Sequence, residues 1–148
     1  MSKTKVFAII LSIILLFSLT ACGEDSADSG AKILESSETL VVIEAGATGG
    51  SLEDAMAALQ EAKKLTYGGS ESEFGFYLTS VNGREADSSA NEYWAVYTTL
   101  GEYEGVVYSN SEYSSLDYNG KTCACASYGV SGLIMVEGEI YVLTLENY

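Results

Sequence analysis

The sequence reads as an α+β chain, several short strands and a single helix gathered into one domain. Three observations lead there. Phe74 to Tyr97, FGFYLTSVNGREADSSANEYWAVY, holds two apolar arms either side of a turn that begins at Asn82-Gly83, a dipeptide suited to tight reversal because both residues tolerate positive φ. Ser51 to Lys64 carries one apolar stripe at helical spacing behind a capping residue. Ile140 to Leu145, IYVLTL, is a near-continuous apolar run of the kind a central strand carries.

The 148 residues leave room for one domain. It is expected at 40–148, behind a leader at 1–21 and a tether at 22–39. Apolar residues make up 47%, enough for one core without disulfide or metal staples. The charge is less ordinary: 7 basic against 21 acidic side chains, a net of −14. Such a balance argues against nucleic acid, whose affinity comes from phosphate neutralisation, and against a polybasic membrane patch. Solubility at a crowded surface accounts for it, and no DxDxDG loop points to a divalent cation. Histidine and proline are both absent. The commonest general base and zinc ligand is therefore missing, and turns fall to the 15 glycines and to Asn, Asp and Ser.

Residues 1–22, MSKTKVFAIILSIILLFSLTAC, open with Lys3 and Lys5 and continue in an apolar run from Val6 to Leu19. A spanning helix needs about 20 such residues, so the run reads as the core of a signal peptide. It ends in Leu19-Thr20-Ala21-Cys22, which resembles the lipobox of bacterial lipoproteins. The resemblance implies that Cys22 carries the lipid, palmitate among its acyl chains, and begins the mature chain. It places the protein on the extracytoplasmic face of the cell membrane. Two or more acyl chains give stable holding where one is marginal. Residues 23–39, GEDSADSGAKILESSET, then read as a flexible acidic tether.

Within the folded part, Leu40 to Glu44 is a β-branched strand run. The glycines from Gly46 to Gly50 form a turn and not a phosphate loop, since no Gly-Lys-Ser/Thr follows. Ser51 is the expected N-cap, with Asp54 at the capping-box position. Leu52, Ala55, Met56 and Leu59 form the buried stripe, and Lys63 and Lys64 are expected to end the helix. Tyr67 to Glu73 reads as a loop. In the first arm, Phe74, Phe76 and Leu78 point one way and Tyr77, Thr79 and Val81 the other. Trp94 and Val96 share a face of the second arm, which pairs with the first if the long intervening link allows. Thr99 to Gly120 reads as a polar loop with strand character only at Gly105 to Tyr108. Its tyrosines, Tyr103, Tyr108, Tyr113 and Tyr118, serve either as rigid contact area or as cover for the core edge. Cys123 and Cys125 face one side of a strand, too far apart at i and i+2 for an unstrained disulfide and too few for zinc. They read as inert thiols, and no metal site is expected.

The ordered set GGSLEDAM, GFYLTSVNG, YWAVY and EGEIYVL resembles a domain family of unknown function that is similar to the C-terminal domain of transcobalamin. The likeness runs over roughly residues 40–146. It implies a mixed or antiparallel sheet with one helix packed across it, of β-grasp type, and it makes cobalamin or another corrinoid a candidate ligand. The chain differs from that pattern where the Trp94 strand continues into TTLGEYEGVVYSNSEYSS instead of a short Asn-Gly turn.

The expected function is that of a lipid-anchored, non-catalytic binding module that needs no cofactor of its own. Candidate ligand-binding residues are Tyr77, Tyr93, Trp94, Tyr97 and Tyr108. The alternative is a cell-surface structural or protein-interaction domain that meets its partner through the Tyr-rich loop. An enzyme is not expected, since no Ser, Cys or Lys has a recognisable base partner.

Overall fold

The computed structural model describes residues 30–148. The expected leader at 1–21, the lipidation site at Cys22 and the first part of the tether lie outside the described residues. The architecture is α+β, built among the described residues from antiparallel sheets and a single α-helix. Of the mixed and antiparallel alternatives, the second holds: every ladder among the described residues is antiparallel.

Six strands form the main sheet. β1 (Ala31–Ser36) and β2 (Leu40–Ala45) form a hairpin at one edge, and β11 (Ile140–Asn147) lies beside β2. β6 (Glu92–Thr98) follows β11, then β10 (Lys121–Ala126), then β9 (Ser109–Tyr118) at the far edge. Residues 31–36 were expected within a flexible tether. They form an edge strand instead, because Ala31 and Ile33 pack on the core and the backbone pairs with β2.

β11 is the central strand that its apolar run predicts, with Ile140 to Leu143 buried on both faces. On the first face, Val41, Ile43, Tyr141, Leu143 and Trp94 meet the helix and a small second sheet. On the second face, Val42, Val142, Ile140, Ala95, Tyr97 and Cys123 form a separate core, flanked by Leu34, Leu116 and Tyr118. The Tyr118 hydroxyl of β9 faces the Glu35 carboxylate of β1, which helps push its pKa up after burial. The two edge strands thus approach each other over the second core.

α1 (Leu52–Glu61) buries Leu52, Ala55, Met56 and Leu59, as its stripe requires. Its cap is reciprocal. The Asp54 N–H donates to Ser51 Oγ at 3.1 Å, and the Ser51 N–H donates to Asp54 Oδ2 at 2.8 Å. The Ser51 N–H, and after it the Ser51 hydroxyl at 2.9 Å from Oδ2, hold the Asp54 carboxyl below its ordinary range. The helix stops before the two lysines expected to end it. Lys63 adopts φ 58°, its N–H reaches the Gln60 carbonyl, and the Lys64 N–H reaches that of Leu59, so a Schellman closure replaces the last turn.

The second sheet comprises β3 (Tyr67–Ser72), β4 (Gly75–Val81) and β5 (Arg84–Glu85). The expected loop at 67–73 is therefore largely strand. Asn82 and Gly83, at φ 50° and 78°, link β4 to β5. The two arms around them do not pair: β4 belongs to this sheet and β6 to the main one. The strict alternation expected along β4 also fails. Gly68 pairs with Ser80 but Gly69 with Leu78, so Thr79 bulges out and both Leu78 and Val81 turn inward. Gly69 suits the bulge, because a Cβ there would lie 2.0 Å from the Tyr77 carbonyl oxygen.

The stretch 99–120, expected to be mostly loop, is mostly strand. β7 (Glu102–Tyr103) and β8 (Val106–Val107) make a small hairpin, and β9 supplies ten edge residues. Asn119-Gly120, at φ 49° and 79°, turns β9 into β10 just as Asn82-Gly83 does elsewhere.

Candidate functional site

A slot opens where two neighbouring strands part. β6 pairs with β11 along its whole length, from Glu92 against Asn147 to Thr98 against Tyr141. On its other side β10 pairs with it only at Thr98 and Tyr97, through Ala124 and Cys125. Past Cys125 the chain swings away: the Ser127 N–H donates to the Tyr108 carbonyl at 2.8 Å. The space between has a volume of about 490 Å³ and is walled by Tyr93, Trp94 and Tyr97 of β6, Tyr113 and Ser114 of β9, and Cys125 to Gly129. That volume lies in the range of small-ligand sites, and its aromatic lining with a few polar groups is of the usual kind.

Each wall has a local cause. Trp94 is 6% exposed, and its indole N–H donates to the Arg84 carbonyl at 3.1 Å. The Arg84 guanidinium in turn grips both oxygens of Glu92 at 2.7 and 2.8 Å. On the second face, Tyr93 and Tyr97 both donate to Glu146 Oε2, at 3.1 and 3.0 Å. The Tyr97 hydroxyl also lies 2.6 Å from Ser114 Oγ. Burial first, and then the Glu146 carboxylate, push both tyrosines up from their ordinary pKa, with the Ser114 hydroxyl opposing this at Tyr97. They stay protonated donors at neutral pH. The Tyr148 ring leans on Tyr93 at 5.8 Å.

A second hollow of about 390 Å³ adjoins the slot, sharing Ser127, Tyr128 and Gly129 and ending at Phe74. Phe74 is 90% exposed at the tip of the β3–β4 hairpin. That hairpin is fastened from below by the Phe76 N–H, which donates to Ser131 Oγ at 3.1 Å. The two hollows make one aromatic groove from Phe74 past Tyr128 to Tyr93.

Three of the five candidate ligand residues, Tyr93, Trp94 and Tyr97, come together in the slot. Tyr108 stands behind it, its ring 5.6 Å from that of Tyr128. Tyr77 does not line the slot; it is 59% exposed on the outer face of β4, set there by its pairing with Ser70. Tyr113 was named only among the loop tyrosines, and Ser114, Tyr128 and Glu146 were not singled out in the sequence. A second Asn-Gly signal at 119–120 could have revealed β9, and with it the position of Tyr113 and Ser114. Nothing local marks Tyr128 or Glu146. Cys123 and Cys125 are free, on the same face, and raised in pKa chiefly by burial. Among the described residues no group of three or more Cys, Asp or Glu is placed to hold a metal.

A search of curated proteins finds no match. One family model does match. Residues 49–98, which run from the glycine turn through α1 and the second sheet to the end of β6 and so include Tyr93, Trp94 and Tyr97, correspond to the family described as a domain of unknown function, DUF4430.

Proposed function

We propose that this chain is a lipid-anchored, extracytoplasmic binding module whose ligand sits in the slot between β6 and β10. The observation that carries the reading is the convergence of Tyr93, Trp94 and Tyr97 with Tyr113 and Tyr128 around one opening. Rigid aromatic rings give large contact area at low entropic cost. The anchoring part rests on the lipobox-like Leu19-Thr20-Ala21-Cys22 and the apolar run before it, and the non-catalytic part on the absence of histidine from the sequence. The resemblance to the transcobalamin C-terminal domain, with its β-grasp type of sheet, makes a corrinoid the first small ligand to try. Titration of the protein with cobalamin should shift the corrin absorbance bands, and Trp94→Ala should weaken the shift at least tenfold. An unchanged spectrum at millimolar cobalamin would remove the corrinoid version. For the anchor, Cys22→Ala should move the protein from the membrane fraction to the soluble one.

A second reading is an interaction domain that uses the 99–120 stretch. It is favoured by Val107 and Tyr113, both strongly exposed on β8 and β9. Deleting residues 102–107, the β7–β8 hairpin, should then abolish partner recovery in a pull-down while cobalamin titration stays unchanged.

A further inference from the structure

The slot offers more than rings, because one of its walls is the backbone edge of a strand. The Thr99 N–H donates to the Ile140 carbonyl at 3.1 Å, and the register of β6 against β11 is unbroken. Odd-numbered residues of β6 therefore turn their N–H and C=O toward β11, and even-numbered ones toward the slot. Thr98 is the last even residue in the ladder with β10. Trp94, two pairs further on, presents its backbone N–H and C=O to the slot, where no ladder pair or backbone hydrogen bond of the described residues reaches them. An unpaired edge of this kind is a template for an added strand.

Charge selects the kind of strand. Glu146 of β11 stands behind the slot's tyrosine wall and receives the hydroxyls of both Tyr93 and Tyr97. Among the described residues the only salt bridge is Arg84 with Glu92, so the Glu146 charge has no cation facing it. With both hydroxyls on Oε2, the carboxylate keeps Oε1 for an ammonium or guanidinium group, whose charged hydrogen bond is stronger than a neutral one. The slot also continues into the hollow that ends at Phe74, which gives an extended chain a direction to run.

We propose that the slot takes an extended basic peptide segment, which pairs its main chain with β6 at Trp94 and sets a Lys or Arg side chain against Glu146. This rests on the reading of the slot as the ligand site and names the ligand's chemistry. The test uses the full chain and three labelled, end-blocked pentapeptides followed by fluorescence anisotropy. One is Lys-Val-Lys-Val-Lys; the second has its valine nitrogens methylated; the third has glutamate in place of lysine. The basic peptide should bind, with the methylated and the acidic ones at least tenfold weaker. Glu146→Gln keeps an acceptor for both tyrosines but loses the charge, and it should weaken the basic peptide about tenfold. Equal binding of parent and methylated peptides would overturn strand addition. Equal binding of basic and acidic peptides would overturn the role of Glu146. Cobalamin bound with no peptide bound would sink this proposal and leave the slot as ligand site, whereas silence from all four ligands would sink both.

Discussion

Tyr141 should be the costliest hydroxyl in the protein to remove. It is wholly buried near the start of β11. Its hydroxyl donates to the Ile134 carbonyl at 2.7 Å and accepts from the Val136 N–H at 2.9 Å. The segment it grips also holds the start of α1, through the Leu52 N–H to the Leu133 carbonyl and the Met135 N–H to the Gly50 carbonyl. Tyr141→Phe keeps the ring and strands two backbone groups. At about 1–3 kcal/mol for an unsatisfied buried group, less what water can recover, the loss should be roughly 2–3 kcal/mol, a large share of the 5–15 kcal/mol typical of a domain. Urea unfolding followed by Trp94 fluorescence measures it. The same residue makes a second prediction, about pH. Burial, only partly offset by the Val136 N–H, pushes Tyr141 from 10.0 up to about 12. Between those values the unfolded chain releases the proton and the folded one keeps it, so the wild type loses stability as pH rises. At about 1.4 kcal/mol per unit the loss reaches roughly 2–3 kcal/mol by pH 12. The phenylalanine variant has nothing to ionise there, so its deficit should shrink from pH 10 to 12. A deficit below about 0.5 kcal/mol at neutral pH, or one that stays constant into alkali, would refute the reasoning.

The remaining expectations concern local devices. Ser51→Ala should cost about 1 kcal/mol in the same assay. Because Asp54 is held below its ordinary pKa by Ser51, the cap's contribution is present at neutral pH and lost as pH falls through the folded value, so the two unfolding curves should converge in acid. Gly83→Ala meets no atom within 4 Å but keeps φ at 78°, and it should cost about 1 kcal/mol from backbone strain alone. Gly69→Ala should cost more, since its Cβ would drive into the Tyr77 carbonyl. Iodoacetamide at pH 8, read site by site by mass spectrometry, should modify half-buried Cys125 before buried Cys123, and both far more slowly than in urea, because burial raises both thiols.

The local rules were readable in the sequence where the local chemistry is strong. The capping box at Ser51 and Asp54, the stripe from Leu52 to Leu59, the turn at Asn82-Gly83 and the central strand at Ile140 to Leu143 all stand where residue type predicts them. Each is decided within a few residues, by hydrogen bonds to near neighbours or by apolar spacing. β1, β3 and β9 were missed because all three lie at sheet edges and expose much of their length. A strand with a weakly buried face needs no apolar alternation, so composition alone makes it look like loop. The bulge at Thr79 was equally hidden, since it depends on the partner strand's Gly68-Gly69.

Trp94, Tyr93 and Tyr97 could be singled out from the sequence because they sit together on one strand. Ser114 and Tyr128 could not. They lie 17 and 31 positions beyond Tyr97, and only the parting of β10 from β6 after Cys125 brings them to one opening with it. By itself the sequence determined the helix, its cap, the tight turns and the strand at the centre, all set by short-range sterics, hydrogen bonding and burial pattern. Tertiary structure decided which strands share a sheet and where two of them separate. Strand pairing is a contest among distant segments for the same backbone donors and acceptors, and no local window of residues records who wins.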